Sequence, residues 1–162
     1  MKAAMHTSID YRQCAAGPRF PPPGSSALPD GGTVPSSAST PRKVLVVDDE
    51  PDLADLAGAL FCGHGLDVRI AHSAQEALAI LGTDPEIDAV FSDVMMPGMN
   101  GLQLAETVRH LYPKVHIVLT TGFISPVLAE THSQHYPCVA KPYRIETVLA
   151  LFRSRFRGQA DS

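Results

Sequence analysis

The sequence predicts an α/β fold, a doubly wound parallel sheet of five strands alternating with five helices. Three observations carry this. Apolar, β-branched runs such as KVLVV are continuous rather than alternating, as expected of strands covered on both faces. Stretches of helical period separate these runs, which is the pattern of a parallel sheet with crossover helices. Acids, hydroxyls and one lysine gather at the carboxyl ends of the apolar runs.

The first strand is KVLVV, 43–47. DDEPDLADLAGALFCGHG follows, with Pro51 suited to a first helical turn and Gly63 and Gly65 to its end. Leu53, Ala57, Leu60 and Phe61 recur there at helical spacing. LDVRI (66–70) is the second strand, and SAQEALAILG (73–82) is a helix with Ser73 and Glu76 in capping-box spacing. IDAVFSD (87–93) is the third strand, turned sharply by VMMPGMNG. LQLAETVRHLY (102–112) is a helix with Leu104, Val108 and Leu111 on one side. VHIVLTTG (115–122) is the fourth strand. SPVLAETHS (125–133) is a short helix capped by Ser125, with Pro126 in its first turn. CVAKP (138–142) is a brief fifth strand, and RIETVLALFRSRF (144–156) a last helix with Ile145, Leu149 and Phe152 facing inward.

The 162 residues suffice for one domain. Residues 1–42 hold seven of the fourteen prolines and carry four basic and two acidic side chains, a net of +2. That composition buries too little apolar surface to offset chain entropy, so 1–42 is expected to be a disordered tail or linker. Residues 43–158 form the expected domain, and 159–162 a short tail. Residues 43–162 carry nine basic and fifteen acidic side chains, a net of −6, which lends no support to a nucleic-acid partner. Apolar runs fall short of the ~20 residues of a membrane helix, and no secretory signal opens the chain, so no membrane partner is expected. Three scattered cysteines read as neither a disulfide framework nor a zinc site, which fits a reducing cytoplasm.

Ligands of an open α/β sheet bind beyond the carboxyl ends of its strands. Asp48 and Asp49 stand at the end of the first strand, Asp93 at the end of the third, Thr120 and Thr121 at the fourth, and Lys141 at the fifth. If strands one, three and four are neighbours, three carboxylates converge. They would repel one another unless a cation neutralises them. Oxygen ligands without His or Cys favour a hard ion such as Mg²⁺. An aspartate can be a nucleophile toward phosphorus, with Lys141 and a threonine stabilising the transferring group.

Together VLVVDDEP, DVMMPGMNG, LTTG and AKPY, in that order, resemble the receiver domain of two-component response regulators across residues 43–158. The resemblance implies a flavodoxin-like sheet of order 2-1-3-4-5. It also implies a phosphoacceptor at Asp93, metal ligation of Mg²⁺ by Asp48, Asp49, Asp93 and the Met95 carbonyl, and supporting roles for Thr121 and Lys141. The Lys141–Pro142 bond is cis in that family. The partners implied are a sensor histidine kinase or histidine phosphotransfer protein and a downstream protein target. The expected activity is that of a phosphoacceptor with its own autophosphatase reaction rather than a turnover enzyme. Cys138 departs from the family, which places an aromatic switch residue there.

A dehalogenase-type phosphatase would need an acid two residues after the nucleophile, where Met95 stands. A nucleotide-binding module would want glycines where DDEPD offers acids. Within the receiver reading, the leading expectation is a single-domain response regulator. The alternatives are a detached C-terminal receiver of a hybrid histidine kinase, or a degenerate receiver used only as a binding module.

Overall fold

The computed structural model describes residues 40–122 and 136–160, with side chains to residue 157. Five parallel strands form one sheet in the order β2-β1-β3-β4-β5. They are β1 (Lys43–Val47), β2 (Asp67–Ala71), β3 (Ala89–Asp93), β4 (His116–Thr121) and β5 (Cys138–Ala140). Four helices lie among the described residues: α1 (Pro51–Gly63), α2 (Ala74–Thr83), α3 (Gly101–Leu111) and α4 (Ile145–Ala160). The helix expected over 125–133 and nearly all of the expected tail over 1–42 lie outside the described residues.

The continuous apolar runs divide between two cores by strand alternation. Val44 and Val46 face one way, packing with Ala54, Ala57 and Phe61 of α1 and with Ile145, Val148, Leu149 and Phe152 of α4. Leu45 and Val47 face the other, with Ala77 and Leu81 of α2 and Leu104, Ala105 and Val108 of α3. The first core is tied by aromatic edges. Phe61 meets Phe91 at 5.4 Å and 72°, and Phe91 meets the Tyr143 ring at 5.1 Å and 76°. Edge-to-face pairs of this kind add to the burial energy of the rings.

Several local expectations are revised. The buried face of α1 is Ala54, Ala57, Gly58 and Phe61, one position on from Leu53 and Leu60. The small residues let α1 lie close to the sheet. Leu111 is exposed, because α3 ends there and Tyr112 makes the core contact instead. Ser73 accepts the Glu76 N–H at 3.1 Å, but the Glu76 carboxylate takes the N–H of His72 rather than that of Ser73. A complete capping box opens α3 instead, between Asn100 and Gln103. Cys138 is a free thiol, whereas Cys62 is disulfide-bonded, against the expectation from three scattered cysteines. No helix among the described residues is long and apolar enough to cross a membrane.

Candidate functional site

β1 carries its apolar run to Val47 and releases Asp48 and Asp49 just before Pro51 opens α1. The Asp48 carboxylate accepts the Glu50 N–H at 3.0 Å, so this acid also fastens the strand-to-helix turn. β3 ends on Asp93, in the strand next to β1. Carboxylate oxygens of Asp48, Asp49 and Asp93 lie within 4.8 Å of one another. Asp48 and Asp93 are buried, at 5% and 7% exposure, and Asp49 is the most exposed of the three.

Lys141 follows β5 at the far side of β4. Its Nζ lies 3.2 Å from Asp93 Oδ2 and 3.3 Å from Asp48 Oδ2. The Lys141–Pro142 bond is cis, as the resemblance implied. Burial pushes the Asp93 carboxyl above its usual value. The Lys141 charge and the Met95 N–H pull it back, and Asp48 pushes it up again. Burial alone would lower the Lys141 pKa, but the charges of Asp93 and Asp48 outweigh it and the net shift is upward. Three carboxylates against one ammonium leave a formal surplus of two negative charges. An oxygen-only donor set with that surplus fits a small divalent cation such as Mg²⁺.

The loop after Asp93 is held tightly. Asp93 Oδ1 accepts the Met95 N–H at 3.1 Å, Thr120 O accepts the Val94 N–H at 2.9 Å, and Val94 O accepts that of Gly101 at 2.9 Å. Gly98 turns the chain at φ +75°, where a side chain would be strained. Gly101 is required by space. A Cβ there would collide with the Asp93 carbonyl oxygen and lie 2.8 Å from the Val94 Cα. Gly101→Ala is therefore expected to lower stability by about 3 kcal/mol, at the upper end for overpacking, because the obstruction is backbone. Chemical denaturation checks this, and a loss below about 1 kcal/mol would show that the loop yields easily.

Of the residues singled out in the sequence, Asp48, Asp49, Asp93 and Lys141 meet directly. Met95 stands in the loop over them, and Thr121 is buried at the end of β4. Tyr143 was not anticipated. Its half-buried hydroxyl feels the charges of Lys141, Asp48 and Asp93 although burial sets its upward shift. The signal available was its place two residues after Lys141. Cys138 lies level with Leu119, and Tyr136 packs against the α2/α3 core.

The profile of the response regulator receiver domain matches residues 44–153. The chain belongs to the response regulator receiver family. Receiver domains are the phosphoacceptor modules of two-component signalling. The DNA-binding response regulator MtrA of Mycolicibacterium smegmatis is 31% identical over 123 residues, covering 74% of this chain and 53% of that protein. The transcriptional regulatory protein GlrR of Escherichia coli K12 is 32% identical over 104 residues, covering 63% of this chain and 23% of that protein. The receiver chain thus spans about half or less of these curated relatives. Among solved structures, chemotaxis protein CheY4 of Vibrio cholerae superposes with a TM-score of 0.60 at 29% identity, over 67% of this chain and 92% of that one. TrrA of Thermotoga maritima, solved with Mg²⁺ and BeF, gives 0.59 at 28% identity, over 66% and 92%.

Proposed function

We propose that this receiver takes a phosphoryl group from a phosphohistidine, on a sensor histidine kinase or histidine phosphotransfer protein, onto Asp93. The observation that carries the reading is the meeting of Asp48, Asp49, Asp93 and Lys141 at one sheet edge. An Asp93 carboxylate oxygen attacks phosphorus in line, the P–O bond forms, and the P–N bond breaks with its electron pair going to the departing imidazole. Lys141, already 3.2 Å from Asp93, neutralises charge on the incoming group. Thr121 donates a hydrogen bond to it. Bound by Asp48, Asp49, Asp93 and the Met95 carbonyl, Mg²⁺ would supply further charge neutralisation. The output is contact with a downstream protein, a reading supported by the acidic charge of residues 43–162.

Incubation with a small phosphodonor, with and without Mg²⁺, followed by intact-mass measurement tests this. One phosphoryl group per chain, dependent on Mg²⁺, is expected, and no uptake under either condition would overturn the reading. The lifetime of the adduct follows from the side chains two places beyond Asp93 and Thr121. These are Met95, which is exposed, and Phe123, which lies outside the described residues. Neither hydrogen-bonds an attacking water. A Met95→Asn, Phe123→Glu double variant is expected to lose phosphate faster than wild type by ~10-fold, below the ~100-fold or more of a group that itself takes the proton, because these side chains only orient the water. Equal decay rates would place the control elsewhere.

A further inference from the structure

Phosphoryl transfer asks something of Lys141 that its own backbone does not secure. The ammonium must stand over Asp93 and Asp48, yet the residue lies past the end of β5 and its stem is flexible. Lys141 N–H donates to Thr121 O at 2.8 Å, the last tie of this chain to β4. Pro142 has no N–H to give. Among the described residues, no backbone hydrogen bond holds residues 142 and 143 to the sheet. The next hold on the chain is a side chain, that of Tyr143.

The Tyr143 ring meets Phe91 edge to face, with centroids 5.1 Å apart at 76°. Phe91 is 2% exposed and is braced by Phe61 of α1 at 5.4 Å, which in turn meets Phe152 of α4 at 6.5 Å. The seat under Tyr143 is therefore part of the core, not a loose surface contact. Phe91 stands two residues before Asp93 on β3, so strand alternation puts both side chains on one face. Lys141 stands two residues before Tyr143 on the chain that turns back after β5. Two rungs thus join these segments across β4, Asp93 to Lys141 and Phe91 to Tyr143. The ionic rung depends on the charge carried at Asp93. The aromatic rung does not.

We propose that Tyr143 is a positioning residue for phosphoryl transfer, its ring seated on Phe91 so that the turn after β5 holds Lys141 within reach of Asp93. Tyr143 acts through Lys141 and touches no reacting atom. The ring carries the role rather than the hydroxyl, because an edge-to-face contact needs only the aromatic ring. Without it, nothing fixes residues 142 and 143, and the ammonium of a side chain already 22% exposed spends more of its time in water. The inference rests on Asp93 being the acceptor and Lys141 its cation.

The test compares the full wild-type chain with Tyr143→Phe, Tyr143→Leu and Tyr143→Met, each checked for folding by circular dichroism. Two quantities are read, the rate of phosphoryl uptake from a small phosphodonor and the affinity for Mg²⁺ alone. Both ringless variants are expected to take up the group about tenfold more slowly, less than the ~100-fold of a misplacement of about 1 Å, because a flexible lysine still finds the site part of the time. Tyr143→Phe is expected to keep the wild-type rate. Mg²⁺ affinity is expected to be no weaker in any variant, since the acids remain and a competing cation has withdrawn. A merely structural loosening would lower uptake and Mg²⁺ affinity together. Wild-type uptake in both ringless variants, a loss in Tyr143→Phe as large as theirs, or Mg²⁺ affinity falling in step with uptake would each overturn the proposal. Wild type taking up no phosphoryl group would instead overturn the acceptor reading, and this inference with it.

Discussion

Asp93→Asn is expected to take up no phosphoryl group from a small phosphodonor under conditions that label the wild-type chain fully. The amide keeps the shape of the carboxylate, and its carbonyl oxygen can still accept the Met95 N–H. It lacks the anionic oxygen that attacks phosphorus. Lys141 keeps Asp48 as a partner, at 3.3 Å, so the variant should stay folded. Losing one of three clustered carboxylates also relieves repulsion. Circular dichroism and intact mass, measured on the same sample, separate loss of chemistry from loss of fold. Labelling of the variant at the wild-type level would remove Asp93 from the role.

Asp49→Ala is expected to weaken Mg²⁺ binding by on the order of 100-fold and to slow phosphoryl uptake in parallel. The loss of a direct ligand should match or exceed the 10–100-fold effect of removing a group that only supports one. Asp49 is the informative acid to remove. Asp48 holds the Glu50 N–H and the Lys141 ammonium, so its loss would unfasten the turn as well as the site. Asp49 is the most exposed of the three and its removal leaves those bonds in place. The metal-free chain should therefore be no less stable than wild type. Calorimetric titration with Mg²⁺ reads the affinity, and an unchanged value in the variant would remove Asp49 from the ligand set.

The sheet was legible because its signal is local. A run such as Val44 to Val47 can be buried on both faces only in a covered sheet, and the structure divides its side chains between two cores. The gathering of acids was legible through the rule for strand ends, since β1 and β3 are neighbours. Helix faces were less so. Leu53, Ala57 and Phe61 satisfy a helical period, yet Ala54 and Gly58 make the close approach because packing distance decides between adjacent stripes. The destination of the Glu76 carboxylate depends on the backbone of His72, which spacing alone does not convey. Asn100 and Gln103 carried a readable capping signature that the neighbouring turn residues obscured.

The central claim is that the carboxylate at the end of β3 becomes an acyl phosphate. Borohydride reduces an acyl phosphate to an alcohol and leaves free carboxylates untouched. Treating the phosphorylated chain in this way and sequencing its peptides by mass spectrometry locates the acceptor directly. Conversion of Asp93 to homoserine, with Asp48 and Asp49 unchanged, is the expected result. Homoserine at Asp48 or Asp49, or none at any of the three in a chain that has gained a phosphoryl group, would contradict the account.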